Sequence, residues 1–141
     1  TQLNAYSTGL LQGKAYNRLH VKMTQMLASY NVSLTEWKLL GKLHENGNIR
    51  LAELAERMSY DPPMVTKLAK LLEKKGLLQR LQDPYDERAK IVSITKSGND
   101  LVKHLEPIAK KTLGTLLKGV THEELVTYLK VLILIVNNTQ E

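Results

Sequence analysis

The chain has 141 residues, of which 43% are hydrophobic and 24% are charged, and its formal net charge at pH 7 is +6. This length suits one domain with its own core, and the balance of apolar and charged residues excludes disorder of the chain as a whole. The positive charge favours an anionic partner. The sequence has no cysteine, which excludes disulfides, thiolate metal sites, cysteine nucleophiles and thiol-based redox sensing.

Enzymatic signatures are missing from the sequence. It contains no Gly-rich phosphate loop, no H-E-x-x-H pair and no Ser nucleophile elbow, so we predict that the protein is not an enzyme and uses no cofactor. The four histidines have no ligand-like spacing, and only a metal site assembled by the fold from separate helices stays open. No leader-like opening and no apolar run of about 18 residues occurs. We therefore expect no membrane association and a cytoplasmic location.

Residues 3–30 are predicted to form one long helix. Its apolar residues step by three and four, the spacing of a packing seam: Tyr16, Leu19, Met23, Met26 and Tyr30. His20 lies one turn from Tyr16. With Trp37, this pair is the candidate lining of an effector pocket, and simple packing is the alternative for all three side chains.

The next helix is predicted to begin after Ser33, because Glu36 three residues later completes a capping box. Trp37, Leu40 and Leu43 form its apolar face, and Asn46-Gly47 ends it. Ile49, between Asn48 and Arg50, is enough for a brief strand that could pair with a hairpin further along the chain.

The segment 51–95 organises the chain. A short helix with one apolar face is followed by a turn and a second helix, which Asp61 caps and Pro62 begins. The buried stripe of this second helix is predicted to be Val65, Leu68, Leu71 and Leu72. Gly76 suits a left-handed helix end, and residues 77–82 and 90–95 alternate like two strands of a ribbon. Two helices joined by a tight turn, the second of them basic, fit a DNA major groove. The pattern predicts a winged helix-turn-helix.

The candidate DNA-binding residues lie in the turn, on the second helix and on the ribbon: Tyr60, Pro62, Pro63, Thr66, Lys67, Lys70, Arg88 and Lys90. Lysine can donate to guanine or phosphate, threonine can contact a thymine methyl, and an arginine at a ribbon tip can enter a narrow minor groove. Asp86 is placed to orient the Arg88 guanidinium by a charge-assisted hydrogen bond. A solvated basic face and a surface ion pair worth under ~1 kcal/mol are the alternatives.

The C-terminal part is predicted to be helical. Ser97-Gly98 begins a long helix, Pro107 should bend or break it, and Gly119 ends it. Thr121 and Glu124 form a second capping box, and the apolar residues of 125–136 need a partner subunit to cover them. We therefore predict a mostly α fold with a small β wing. Residues 1–32 and 97–141 would be dimerisation helices, interwoven in one domain with a DNA-binding region at 33–96.

The wing resembles that of the MarR family of transcription regulators. Asp86-x-Arg88 and the run A-K-I-V-S-I-T-K-S-G at 89–98 are similar to the D-x-R and L-T-x-x-G pattern of that family. The runs V-T-K-L at 65–68 and L-E-K-K-G-L at 72–77, with Arg80, resemble its recognition helix and first wing strand, and L-T-x-W at 34–37 resembles its second helix. The chain departs from the pattern at 61–63, where the family has small hydroxyl residues and this sequence has D-P-P.

The resemblance implies an obligate homodimer whose two recognition helices enter successive major grooves of a pseudo-palindromic operator, ~34 Å apart. It also implies repression, relieved by a small aromatic or lipophilic effector that favours another state of the dimer. We thus predict a nucleoid-associated transcription regulator that binds specific sequences of double-stranded DNA. The alternatives are a constitutive DNA-binding regulatory or architectural factor without a ligand, and a winged-helix protein–protein adaptor.

Overall fold

The computed structural model describes residues 4–139, so residues 1–3 and 140–141 of the predicted dimerisation helices, including the predicted helical residue 3, lie outside it. Within this range the chain forms six helices and three short strands, which confirms the mostly α fold with a small β wing. In chain order they are α1 (Ala5–Ala28), α2 (Leu34–Asn46), β1 (Ile49–Arg50), α3 (Leu51–Met58), α4 (Pro62–Lys74), β2 (Leu78–Gln82), β3 (Lys90–Ile94), α5 (Lys96–Leu116) and α6 (His122–Asn138).

The three strands form one antiparallel sheet in the order β1-β3-β2. Ile49 of β1 lies opposite Val92 of β3, and Arg80 of β2 lies opposite the same residue on the other side. The brief strand predicted at Ile49 is therefore confirmed, and it does pair with the hairpin. Because Ile49, Leu78 and Val92 are buried, one face of the sheet closes the helical core.

Helix starts follow the predicted capping residues. Ser33 Oγ accepts from Glu36 N at 3.1 Å while Glu36 Oε1 accepts from Ser33 N at 3.0 Å, and the second capping box, at Thr121 and Glu124, is also present. α5 begins at Lys96, slightly earlier than predicted, because Thr95 acts as its cap and not as the last residue of the strand.

α5 runs through Pro107 without a break, so of the bend or break predicted there the break is wrong, and the bend stays a prediction. Proline removes only its own N–H bond to the carbonyl four residues earlier, at position 103. Both Lys103 and Pro107 are exposed, and water can donate to a carbonyl freed on that side.

The core lies between α2, α3, α4, α5 and the sheet. Its fully buried side chains are aliphatic and come from each of these elements, among them Leu39, Leu40, Leu43, Leu54, Val65, Leu72, Leu78, Val92 and Leu105. α1 packs against α5, where the rings of Tyr30 and His104 meet edge to face with centroids 5.6 Å apart. Close-packed aliphatic side chains on all sides fix how α4 is rotated about its axis.

α6 contributes no buried residue. Eight of its apolar side chains are between 40% and 59% exposed, and Leu125 and Leu132 are less so: Val126, Tyr128, Leu129, Val131, Ile133, Leu134, Ile135 and Val136. So large an apolar surface marks a site of association. None of the helices between residues 4 and 139 combines the length and hydropathy that crossing a lipid bilayer requires.

Candidate nucleic-acid interface

The recognition helix α4 is held by its cap and its buried stripe. Asp61 Oδ1 accepts from Met64 N at 2.8 Å, and Pro62 occupies the first turn as predicted. The buried residues of the helix are Val65, Leu68, Ala69 and Leu72. Leu71, predicted to belong to this stripe, is 42% exposed because the buried face rotates toward Ala69. This arrangement turns the opposite, basic face of α4 outward.

The outward face of α4 is an open surface that runs the length of the helix. The residues that form this surface are Pro62, Pro63, Thr66, Lys67, Lys70, Leu71, Glu73 and Lys74. Five of the predicted DNA-binding residues are thus together on one surface. Tyr60 is not among these residues: it is half-buried and packs against the core, because it ends the turn that places α3 against α4.

The wing loop between β2 and β3 is anchored by Asp83. Its Oδ2 lies 2.7 Å from Arg50 Nε, and its Oδ1 accepts from Tyr85 N at 2.8 Å. The Asp83 side chain is only 2% exposed. A buried carboxylate that is ion-paired on one oxygen and hydrogen-bonded on the other fixes the base of the loop, and the loop then presents Tyr85, 92% exposed, at its tip.

Arg88 is exposed on this loop, and within residues 4–139 its guanidinium has no carboxylate partner. Asp86 Oδ1 instead accepts from the backbone N–H of Arg88 at 2.9 Å. The predicted contact between this carboxylate and the guanidinium is therefore corrected: Asp86 forms a local turn, as aspartate often does two residues before its partner. Lys90 Nζ donates to Gln82 Oε1 at 2.9 Å across the ribbon.

A second ion pair joins the recognition helix to the wing. Arg80 Nη2 lies 3.0 Å from Glu73 Oε1, and Arg80 N donates to Glu73 Oε2 at 3.3 Å. The hydrogen bonds from Arg80 hold the pKa of the Glu73 carboxyl below its ordinary value. Because one carboxylate takes both backbone and side-chain donors of β2, the wing and α4 are held in one relative orientation.

A third ion pair lies at the same, C-terminal end of α4. Lys75 Nζ is 2.9 Å from Glu36 Oε2 and donates to the Asn31 carbonyl oxygen at 2.7 Å. Burial acts to raise the pKa of Glu36, but hydrogen bonds from Ser33 and Lys75 outweigh it, so this pKa lies below its ordinary value. The carboxylate therefore stays charged at neutral pH.

The residues predicted to line an effector pocket lie on two helices, α1 and α2. Tyr16 and His20 do pack together on α1, with ring centroids 6.0 Å apart, and Tyr16 is 57% exposed. Trp37 packs, half-buried, against the core of the winged helix. Among residues 4–139 no three His, Asp or Glu side chains are grouped as metal ligands.

The sequence did not reveal the three ion pairs that join separate elements: Arg50–Asp83, Arg80–Glu73 and Lys75–Glu36. Each joins residues seven or more positions apart, and no periodicity identifies which of several lysines or arginines meets a given carboxylate. Of these residues only Glu36 carries a local signal: its spacing from Ser33 predicts the capping box, but not the ion pair with Lys75.

Known proteins share both the sequence pattern and the fold. A sequence model described as the MarR family matches residues 32–90. An uncharacterized HTH-type transcriptional regulator of Bacillus subtilis (strain 168), YwaE, is 32% identical over 86% of this chain and 72% of its own length. The HTH-type transcriptional repressor MdtR of the same organism is 29% identical over 78% of this chain and 71% of its own.

Solved structures resemble the whole described fold. The S. aureus MepR–DNA complex matches with a TM-score of 0.85 at 25% identity, covering 98% of this chain and all of the other. Bordetella bronchiseptica BpsR, in a study of the regulation of its DNA binding by 6-hydroxynicotinic acid, matches with a TM-score of 0.83 at 23% identity, covering 92% and 98%.

Proposed function

The chain belongs to the MarR family of DNA-binding transcription regulators, and from this membership we propose that it is a homodimeric repressor of a pseudo-palindromic operator. Members of this family are not enzymes, in agreement with the motifs missing from the sequence. A repressor of this kind works on the chromosome, so we place it in the cytoplasm, associated with the nucleoid.

The observation that carries the proposal is the outward face of α4 with its exposed cations, Lys67 and Lys70. In the proposed complex α4 lies in the major groove, where Thr66, Lys67 and Lys70 reach bases and phosphates. Arg88 and Lys90 of the wing meet the neighbouring minor groove and its phosphates. Since α4 carries no arginine, we expect phosphate contacts and DNA shape to weigh more than bidentate guanine contacts.

The exposed apolar face of α6 supports a homodimer. Side chains such as Leu129, Ile133 and Val136 are half exposed in the single chain, and a second copy would cover them together with the exposed Leu10 and Leu11 of α1. We propose that α1, α5 and α6 of two copies form the dimer. A two-fold axis through them repeats α4 along the DNA, which requires a palindromic site.

We also propose that a small aromatic or lipophilic acid tunes DNA binding. The related fold of BpsR, whose DNA binding is regulated by 6-hydroxynicotinic acid, supports an effector of this kind. The exposed Tyr16–His20 pair on α1 offers it an aromatic surface, and Trp37 offers a second one closer to the core. An effector acts only through different affinities for two states of the dimer.

The test begins with DNA selected from a random pool. Gel-shift affinity for the selected operator should fall by ~10³ or more between 50 and 200 mM salt if six to ten phosphates are contacted. Arg88→Ala should lose operator binding and keep the dimer in sedimentation, whereas Arg18→Ala, an exposed arginine of α1, should bind as the wild type does. Flat salt dependence, or normal binding by Arg88→Ala, would contradict the proposed interface. Benzoic and hydroxynicotinic acids titrated into the complex test for the effector.

A further inference from the structure

Lys75, the residue that follows α4, closes onto the turn between α1 and α2. Its Nζ lies 2.7 Å from the Asn31 carbonyl oxygen and 3.1 Å and 2.9 Å from the two carboxylate oxygens of Glu36. The side chain of Glu36 is 6% exposed and that of Lys75 is 28% exposed. One ammonium group therefore contacts the turn and the first turn of α2 at the same time.

This turn connects α1 to the first helix of the winged helix, α2. α1 ends at Ala28 and α2 begins at Leu34, and between them Asn31 has the left-handed φ of 57°. Asparagine tolerates that conformation better than most residues. Since Asn31 belongs to the turn that leads out of α1, a contact from Lys75 to its carbonyl ties the end of the recognition helix to the base of α1.

We propose that the Lys75–Glu36 pair is a positioning pair, which holds α4 at one orientation to α1 and so sets the separation of the two recognition helices in the dimer. The inference rests on the proposed function, because it needs two copies joined through their α1 helices. In this arrangement Lys75 does not contact DNA. It positions the residues on the outward face of α4 that contact DNA in the proposed complex.

The consequence is a preference for one spacing of the operator half-sites. One base pair added between them moves a half-site by about 3.4 Å and rotates it by roughly 35°. Two helices held firmly cannot follow this displacement. Helices released from the α1–α2 turn can follow it in part, and the protein then discriminates less between spacings.

Two substitutions with opposite charge changes test the pair. Lys75→Met removes a cation, while Glu36→Gln removes an anion and keeps an acceptor for the capping box. We expect both variants to lose about tenfold of the wild-type discrimination between the selected operator and versions with one base pair inserted or deleted, on the scale of one charge-assisted hydrogen bond. Lys42→Met, which removes an exposed pair with Glu45 at 3.9 Å, should keep the wild-type discrimination.

A second measurement needs no DNA. Because the chain has no cysteine, Lys67→Cys accepts a single spin label on the outward face of α4 in each subunit. The distance distribution between the two labels should broaden when Lys75→Met or Glu36→Gln is added. If Lys75→Met does not fold, Glu36→Gln carries both measurements.

The outcomes separate this inference from the proposed function. Wild-type spacing discrimination and wild-type label distances in both folded variants would overturn the positioning role alone. A change in only one of the two variants would point to the altered charge of that variant, and would also overturn the positioning role. A wild-type dimer that binds no DNA would overturn the proposed function, while the label distances would still decide whether the pair positions α4.

Discussion

The ion pair between Arg50 and Asp83 offers the sharpest test of how the wing is held. Arg50 follows Ile49 in β1, and Asp83 begins the wing loop, so the pair joins two segments that are far apart in the sequence. The Asp83 side chain is 2% exposed and that of Arg50 is 52% exposed. Replacing Arg50 by Met keeps most of the aliphatic stem and leaves a buried carboxylate without its cation.

The expected cost follows from these exposures. Removing one partner of a fully buried pair costs about 3–5 kcal/mol. Here the arginine is half solvated and Asp83 keeps its bond from Tyr85 N, so we expect Arg50→Met to lower the free energy of unfolding by about 2 kcal/mol. Asp83→Asn leaves no buried charge and should cost about 1 kcal/mol. The double variant should cost less than the sum, since both changes remove the same interaction.

Urea unfolding at one fixed protein concentration measures these costs, because the stability of a dimer depends on its concentration. Arg57→Met is the matched control: its pair with Glu53 at 2.7 Å is about half exposed on both sides and should contribute about 0.5 kcal/mol. If Arg50→Met unfolds like the control, or if the costs of Arg50→Met and Asp83→Asn simply add, the buried pair does not anchor the wing.

Two further predictions concern pH and packing. The pKa of the Glu36 carboxyl lies below its ordinary value in the folded chain. The stability that this carboxylate contributes is therefore fully present above its pKa in the unfolded chain and is lost as pH falls through its pKa in the folded chain. Glu36→Gln should flatten the acid side of a stability–pH profile, and an unchanged slope would contradict this. A Cβ at Gly98 would overlap the Leu77 carbonyl oxygen and lie 2.6 Å from Ile94 Cγ1, so Gly98→Ala should destabilise by about 2–3 kcal/mol. Gly41→Ala, in an open part of α2, should be neutral or stabilise by up to ~1 kcal/mol, and urea unfolding measures both changes.

Features that depend only on residues close together in the sequence were predictable. The capping boxes at Ser33 and Thr121, the cap at Asp61 and the left-handed end at Gly76 each depend on residues within one helical turn, and the structure contains all of them. The alternation of the wing strands likewise depends only on neighbours. For the same reason, most of the outward face of α4 could be assigned once its buried stripe was identified.

Features that depend on competition between partners were not predictable. Asp86 had a guanidinium and a backbone N–H within reach, and the sequence could not show that the local backbone bond forms. Leu71 and Ala69 competed for one position in the core, and the rotation of α4 buried the smaller residue. Pro107 could break a helix or lie on its exposed side, and only the packing of α5 decides between them.

The basic residues of the winged helix divide by whether a carboxylate meets them. Arg50, Arg80 and Lys75 each have such a partner, and each contact joins two elements of the fold, so their charges are largely neutralised where they lie. Across residues 4–139, Lys67 and Arg88 have no such partner within ion-pair distance, and both lie on the surface proposed to meet DNA. The phosphate backbone of DNA binds where unpaired cations can contact the phosphates and displace the counterions condensed on them. In the proposed complex the paired cations would therefore fix the shape of the interface, and the unpaired ones would supply its attraction for DNA.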